Sequence, residues 1–372
     1  MTVIERAPAL REVGAGLQLS PNGGAVLDAL GLRGRIEAAG QTATHVTLRS
    51  GPSGRRIARV PLHAPAGSPG HRPLHRADLV GLLAEAAQEA GAGLRLGVAA
   101  EAVRPGAGTG HGRPLLTLAD GGRVSCDLLV GADGIRSTVR GALGPAAPAR
   151  FTGQVAWRAI VPGDGGGTAG GGGPTIDLFP GRHVTSYPLR GGAETNVVAV
   201  AERADWAEEG WFHPDDPDHL RAAFADANPE LRSLLGRVSD CALWGLFLHP
   251  PAERFGAGRI ALLGDAAHPT LPFLAQGANL AIEDAWALAE EADAPGALPL
   301  ALERYTARRR PRVLRALGAA LTNARDYHLG GVRRLAGHAA LGLAGAAAPW
   351  VLERRYAWLH GFDVTRERRG AG

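Results

Sequence analysis

Apolar residues follow two kinds of spacing along the 372 residues of this chain. Apolar runs of strand length occur in four places, residues 45–62, 94–99, 115–125 and 151–201. The spacing of an amphipathic helix occurs in four others, residues 21–30, 77–90, 278–289 and 298–327, the last interrupted at Pro311. Because strands and helices are interleaved, the pattern predicts an α/β protein, with residues 151–201 forming the sheet of a second region. The glycine-rich segment 163–174 is predicted to be a flexible loop.

One strand is followed by a turn that carries an acid. Residues 259–263 form an apolar run, Gly264 allows a close backbone approach, and Asp265 lies at the carboxyl end of the strand. Open α/β sheets bind their ligands at this end of their strands, so Asp265 is a candidate hydroxyl acceptor. A turn-forming role is the alternative for an isolated Gly-Asp pair. Residues 125–140, SCDLLVGADGIRSTVR, repeat the order of strand, acidic turn and helix, so we expect the two units to form one site.

The first unit leads into a helix N-terminus. Helical spacing resumes after Pro269 and Pro272, which leaves the amides of Gly277, Ala278 and Asn279 without partners inside the helix. Such an end stabilises negative charge. The sequence therefore predicts a site for an electron-rich or anionic group at residues 277–279.

Composition excludes several classes of function. With 45% hydrophobic residues the chain can bury a core. The net charge is +4, but all 40 basic residues are Arg and are scattered among acids, which argues against nucleic-acid binding. Cys126 and Cys241 lack CxxC spacing, so we expect reduced thiols and no metal site.

Neither a signal peptide nor a membrane span is predicted. The N-terminus has the pattern of a strand instead of a basic and then apolar leader. Residues 335–352 are mainly Ala and Gly, so we expect a buried or docking helix there. These features predict a cytoplasmic protein.

Five further segments support a family resemblance: residues 4–6 (IER), 14–23 (GAGLQLSPNG), 75–79 (HRADL), 185–192 (TSYPLRGG) and 357–363 (AWLHGFD). Together with the two acidic turns, they resemble the single-component FAD-dependent aromatic hydroxylases, the family of salicylate and para-hydroxybenzoate hydroxylases. The resemblance implies a Rossmann-like FAD-binding domain interleaved with a β-sheet substrate domain. The implied divisions are residues 1–44, 63–150 and 251–297 for FAD, 45–62 and 151–250 for the substrate, and 298–372 for a C-terminal helical region.

The chain departs from the family at its start. The family's FAD domain begins with a strand and a GxGxxG turn about 20 residues ahead of a ribose-binding acid. Glu5 fits that acid, yet only four residues precede it. We therefore expect an N-terminally truncated chain with roughly 30 residues missing upstream, about one βαβ unit less its second strand. A flavin-free remnant with a binding role is the alternative.

The resemblance also implies a role for each of several residues. FAD contacts are implied for Glu5, Arg6, Gln18, Arg76, Val98, Asp133, Gly134, Asp265, Gly277, Ala278 and Asn279. Within this set Asp265 faces the ribityl chain, Asp133 lies near flavin and nicotinamide, Val98 lies near the adenine, and Gln18 lies beside flavin or substrate.

The implied reaction is that of a flavin-dependent monooxygenase. NADH or NADPH and O2 would support hydroxylation of a salicylate- or hydroxybenzoate-like aromatic substrate through a flavin hydroperoxide. Tyr187 and His268 are the candidates for removing or binding a phenolic proton, although each could instead be structural. Epoxidation, or a non-phenolic or polyketide-like substrate, is the alternative, and an apolar pocket without an arginine would favour it. A homodimer is a further possibility.

Overall fold

A computed structural model describes residues 1–10, 16–106, 112–145, 147–163, 173–205 and 213–367. Most of the glycine-rich segment 163–174, and Gly14 and Ala15 of the GAGLQLSPNG motif, lie outside the described residues.

Strands occur along most of the described chain. They are β1 (Thr2–Glu5), β2 (Gly16–Leu19), β3 (His45–Ser50), β4 (Arg56–Pro61), β5 (Arg72–His75), β6 (Gly93–Leu96), β7 (Ala100–Arg104), β8 (Leu115–Leu118), β9 (Arg123–Ser125), β10 (Leu129–Gly131), β11 (Arg150–Pro162), β12 (Thr175–Phe179), β13 (Arg182–Leu189), β14 (Glu194–Glu202), β15 (His213–Asp215), β16 (Cys241–Leu248), β17 (Gly256–Ala257) and β18 (Ile260–Leu262).

Helices lie between the strands and dominate the C-terminal part. They are α1 (Pro21–Ala29), α2 (Arg33–Ala39), α3 (Arg76–Glu89), α4 (Thr138–Gly141), α5 (Pro217–Ala223), α6 (Pro229–Gly236), α7 (Gly277–Asp293), α8 (Leu298–Tyr327), α9 (Gly331–Ala347), α10 (Pro349–Arg354) and α11 (Ala357–His360).

The largest sheet has the order β15-β16-β11-β14-β13-β12-β3-β4. All neighbours in it are antiparallel except β12 and β3. Side chains alternate between its faces. Val184 and Ala199 belong to the core formed with α5 and α6, whereas Val200 and Trp244 on the opposite face pack towards Phe273. This second face forms one wall of the site described below.

Two smaller parallel pairings lie beside this sheet. β1 pairs with β6, and β10 pairs with β18, with Gly131 opposite Leu262. Because β10 and β18 are parallel and in register, the acidic turns that follow them emerge side by side. The two strand–turn units are therefore adjacent in space, as the sequence predicts.

Some local predictions differ from the structure. Pro311 does not end its helix, since α8 runs unbroken from Leu298 to Tyr327. A proline inside a helix costs about 3 kcal/mol. The buried face of α8, which includes Leu302, Tyr305 and Val313, packs in the main core and offsets that cost. The helix after the second acidic turn is shorter than expected, because α4 has only four residues.

Helix α9 contains most of the alanine- and glycine-rich segment. It docks on β4, with Gly345 close to Ala58, but none of its residues is buried. Leu335 and Leu343 are 70% and 71% exposed. Of the two alternatives expected for this segment, a buried helix or a docking helix, the structure shows the docking helix. No helix in the described part of the chain has both the length and the apolar character needed to cross a membrane.

Candidate cofactor and substrate site

A cavity of about 500 Å³ lies between the large sheet and the two acidic turns. Seven of the predicted cofactor and catalytic residues line it, namely Gln18, Arg76, Gly134, Tyr187, Asp265, Gly277 and Ala278. They come from β2, α3, β13, α7 and the turns after β10 and β18. The structure thus brings together positions that are far apart in the sequence.

The turn after β18 depends on Gly264. Its φ is +57°, and a Cβ placed there would lie 3.0 Å from the Cβ of Ala281 on α7. Glycine therefore lets the turn approach the first part of α7. Asp265 follows, half-buried at the cavity wall. Burial raises the pKa of the Asp265 carboxyl, and the nearby His268 and Arg76 offset this only in part.

Helix α7 begins at the cavity without a capping side chain. Gln276 occupies the N-cap without a side-chain bond to the helix, and the first turn contains no acid. Ala275, just before it, has the left-handed φ of +52°, a strained value for a residue with a Cβ. Gly277 and Ala278 line the cavity, so the open amide end of α7 faces it.

Asn279, also in the first turn of α7, has a different position. It is fully buried and does not line the cavity. Its amide donates to the carbonyl oxygens of Gln18 and Ala275, each at 2.9 Å, and its Oδ1 accepts from the backbone N–H of Ser20 at 2.9 Å. The side chain of Asn279 therefore joins α7 to the end of β2.

In the second acidic turn, which follows β10, the carboxylate of Asp133 points at the start of α4. Asp133 accepts a hydrogen bond from the Ser137 hydroxyl and another, at 3.2 Å, from the backbone N–H of Val139. Gly134 has φ of +77° and lines the cavity. The geometry makes Asp133 the residue that shapes this turn, with Gly134 facing the site.

Glu5 and Val98 lie together, away from the cavity. The backbone N–H of Val98 donates to the carbonyl of Glu5 at 3.0 Å, and the Glu5 carboxylate accepts from the N–H of Ala7 at 2.8 Å. Arg6 is exposed beside them. These three residues form a second cluster at the carboxyl ends of β1 and β6.

His268 belongs to a buried ionic network and not to the cavity lining. It is 1% exposed, and its Nε2 lies 2.5 Å from Oδ2 of Asp284. Burial alone would raise the pKa of Asp284, but His268 and Arg309 outweigh it, so the pKa falls to about 2. Arg309 also pairs with Glu283 at 2.7 Å, and Glu283 pairs with Arg312 at 2.7 Å. The network therefore links the acidic turn to α7 and α8.

The wall opposite the turns is the face of the large sheet. His183, Thr185 and Tyr187 alternate along β13 and all line the cavity. Thr185 is opposite Val198, which is in turn opposite Arg158 on β11. Burial raises the pKa of the Tyr187 hydroxyl well above its usual value, and Arg158 opposes this only in part.

Arg158 and His183 were missed in the sequence. Period-two spacing from Tyr187 could have indicated His183, because residues 183, 185 and 187 share a face. Arg158 could not be assigned in this way, since its position depends on the pairing of β11 with β14. Its guanidinium lies 4.7 Å from the ring centroid of Trp244, which also lines the cavity.

Comparison with known proteins identifies the family. The FAD binding domain family matches residues 1–320. A 3-amino-4-hydroxybenzoate 2-monooxygenase of Streptomyces cremeus is 38% identical over 88% of this chain and 81% of its own length. A 3-hydroxybenzoate 6-hydroxylase of Polaromonas naphthalenivorans strain CJ2 is 31% identical over 97% of this chain and 90% of its own length. This chain belongs to the FAD binding domain family.

Solved structures agree with this family assignment. A salicylate hydroxylase substrate complex aligns with a TM-score of 0.77 at 24% identity, over 98% of this chain and 96% of its own. A single-residue variant of Klebsiella pneumoniae HpxO, complexed with FAD, aligns with a TM-score of 0.80 at 25% identity, over 96% and 91%. The predicted α/β fold, FAD cofactor and flavin-dependent aromatic hydroxylase class are confirmed.

The residues that line the cavity can be compared with the chemistry of FAD. The open amide end of α7 carries no competing acid, so Gly277 and Ala278 are available to an electron-rich ring. The Gly264 turn leaves room for close backbone approach, and Asp265 offers a hydroxyl acceptor. The residues present therefore fit the flavin end of FAD.

Proposed function

We propose that this FAD-dependent monooxygenase hydroxylates a benzoate that carries a phenolic hydroxyl. The observation that carries the proposal is Arg158, a half-buried cation on the cavity wall, stacked on Trp244. Guanidinium groups bind carboxylates through two parallel hydrogen bonds, and such bonds are strong where water is largely excluded. The substrates named for the relatives from Streptomyces cremeus and Polaromonas naphthalenivorans, both hydroxybenzoates, support this substrate class.

FAD supplies the redox chemistry when it is bound, namely reduction by NADH or NADPH and transfer of one atom of O2 to the ring, the other leaving as water. In the proposal Asp265 and the amides of Gly277 and Ala278 hold the cofactor, with Gln18, Arg76 and Gly134 beside it. Asn279 and Asp133 act indirectly, by holding the two turns. Glu5, Arg6 and Val98 serve the adenosine end.

The sheet face positions the substrate. Tyr187 stays protonated because burial raises its pKa, so its hydroxyl serves as a hydrogen-bond donor or acceptor and not as a base. Trp244 on the sheet, together with Leu271 and Phe273 from the segment before α7, keeps water away from the ring. His268, bonded to Asp284 and off the cavity, holds the acidic turn in place.

An apolar pocket without an arginine would favour the alternative, epoxidation or a non-phenolic or polyketide-like substrate, and Arg158 on the cavity wall argues against it. The division into three regions, the cytoplasmic location and the homodimer are retained as predictions.

The test asks whether Arg158→Gln weakens binding only of a substrate that carries a carboxylate. We expect KM for 3-amino-4-hydroxybenzoate to rise about ten- to a hundredfold, because a charge-assisted bond contributes roughly 1.5–3 kcal/mol. The corresponding benzamide, which has no carboxylate, should show almost the same KM with both proteins. Product and NAD(P)H are both measured, so uncoupled oxidation is not mistaken for hydroxylation.

Arg56→Gln is the matched control, since Arg56 is an exposed strand arginine away from the cavity. It should behave as wild type with both compounds. An equal rise in KM for the benzoate and for the benzamide in Arg158→Gln would indicate that Arg158 has only a packing role. No hydroxylation of 3-amino-4-hydroxybenzoate, 3-hydroxybenzoate or salicylate by wild type would contradict the proposed substrate class.

A further inference from the structure

A second cavity, of about 560 Å³, lies beside the first cavity, which Arg158 and Tyr187 line. Its walls come from the start of β11, the end of α8 and the start of α9. Leu271 lines both cavities, and the imidazoles of His183 and His328, 2.9 Å apart, lie in the wall between them. A volume of this size is typical of a site for a small molecule.

Three arginines line the second cavity, one from each of these walls. Arg150 is the first residue of β11, Arg325 lies in the last turn of α8, and Arg333 lies in the first turn of α9. Among the residues that the structure describes, none of the three guanidinium groups has an ion pair or a hydrogen bond. All three side chains are therefore available to a ligand.

The second cavity has a surplus of positive charge. Glu202 is the one carboxylate among its described lining residues, and its Oε1 lies 3.2 Å from Nδ1 of His328. Burial lowers the pKa of His328, which keeps this imidazole mostly neutral at pH 7. Three arginines against one glutamate leave two positive charges, so a ligand with two negative charges would balance the cavity.

The start of α9 adds to this positive field. Gly330, the N-cap of α9, lines the cavity, and the first turn of the helix has neither a side-chain cap nor an acid. The first amides of a helix have no partners within the helix and carry partial positive charge. This end of the helix disfavours Arg333 in its first turn, and a bound anion would relieve that repulsion.

Most of the remaining lining is apolar. It consists of Phe151, Leu248, Leu271, Leu321, Ala324 and Leu329, besides the polar Thr152 and Gln154. The Phe151 ring packs on that of Phe247, with the two centroids 5.4 Å apart. Inorganic phosphate would leave this apolar surface in contact with water, whereas an aromatic ring would cover it. The sugar hydroxyls of a nucleotide would lack partners on such a surface.

We propose that the second cavity binds an aromatic ring that carries two carboxylates. The carboxylates pair with the guanidinium groups of Arg150, Arg325 and Arg333, beside the open amides of α9. The ring packs on Phe151 and the leucines. The second site is independent of the proposed substrate, because none of its three arginines lines the first cavity.

Equilibrium dialysis of FAD-loaded protein against isophthalate tests the second site. Wild type should bind isophthalate more tightly than benzoate, which has one carboxylate, and much more tightly than the uncharged isophthalamide. Inorganic phosphate and adenosine 2′-phosphate should compete only weakly, since neither combines two carboxylates with an apolar ring. Arg158→Gln should retain this binding, because Arg158 lines only the first cavity.

Variants of the lining residues separate charge from structure. Arg325→Gln and Arg333→Gln should each weaken isophthalate binding about fivefold, the upper range for an exposed ion pair, and the triple variant with Arg150→Gln about fiftyfold or more. Glu202→Gln should strengthen binding about threefold, because the opposing charge is removed, and a damaged fold would not produce tighter binding. Arg232→Gln is the matched control, since Arg232 is an exposed helix arginine outside both cavities.

The outcomes distinguish the second site from the proposed function. Wild-type affinity in the triple variant would overturn the second site, and so would tighter binding of phosphate or adenosine 2′-phosphate than of isophthalate. Loss of isophthalate binding in Arg158→Gln alone would place the ligand in the first cavity, with the same consequence. Isophthalate binding as expected, without hydroxylation of any phenolic benzoate, would contradict the proposed function and leave the second site standing.

Discussion

Replacing Asp284 by Asn tests the buried network behind the cofactor turn. Asp284 is fully buried and accepts hydrogen bonds from the N–H of Gly264 at 3.1 Å and from Arg309 Nε at 2.7 Å, besides the contact with His268. Its pKa of about 2, against a usual 3.8, corresponds to about 2 kcal/mol in favour of the charged form. Replacement by the neutral amide removes this stabilisation of the charged form. It also leaves the buried Arg309 paired with the carboxylate of Glu283 but no longer with that of residue 284.

Breaking a buried ion pair costs about 3–5 kcal/mol, but the amide keeps the shape of the side chain and some of its bonds. We therefore expect Asp284→Asn to lose about 3 kcal/mol of unfolding free energy, which urea denaturation at pH 7 measures. FAD affinity should fall as well, because Gly264 loses its anchor.

The pH dependence of stability provides a second check on Asp284. The depressed pKa means that the contribution of the aspartate is complete above about pH 4 and is lost as pH falls towards 2. The Asn variant should not show this part of the acid dependence. Glu290→Gln, at a 25% exposed ion pair on the same helix, should change stability by less than about 1 kcal/mol. A similarly small change in Asp284→Asn would refute the reasoning.

Three further predictions concern single side chains. Asp265→Ala should weaken FAD binding roughly tenfold or more through loss of a charge-assisted bond, whereas unchanged affinity in a folded variant would support the turn-forming role. Tyr187→Phe should lower the amount of product formed per NAD(P)H consumed. An equal ratio in wild type and variant would indicate that Tyr187 only packs in the wall. Burial lowers the pKa of His71 to about 4 from 6.5, so the unfolded chain binds more protons between these values and stability should fall by about 3 kcal/mol as pH drops from 6.5 to 4. Urea midpoints should show a flatter profile for His71→Gln, and an unchanged slope would contradict this.

The arrangement of the two acidic turns and the start of α7, which we propose to hold FAD, was predictable because its signals are local. The apolar run of β18, Gly264, Asp265 and the start of α7 are continuous in the sequence, and each has a recognisable spacing. The repeat of strand and acidic turn in β10 then indicated a shared site, since parallel strands place such turns at one edge.

The substrate side and the buried network depend on long-range pairing. Glu283 and Asp284 occupy α7, and Arg309 and Arg312 occupy α8, where charged residues in a helix are usually solvated. Only packing of the two helices turns them into a buried network. Arg158 and His183 likewise reach one cavity through the registers of β11, β14 and β13.

The alternation of side chains along the large sheet separates the residues that line the cavity from those that form the core. The residues of β13 that face the cavity alternate with Val184 and Ser186, which are buried on the other face. Substitutions at positions 185 and 198 would reshape the substrate wall while the core under α5 and α6 and the cofactor turn stay intact. If this cavity holds the aromatic substrate, as proposed, these positions are the natural starting library for changing substrate choice by directed evolution.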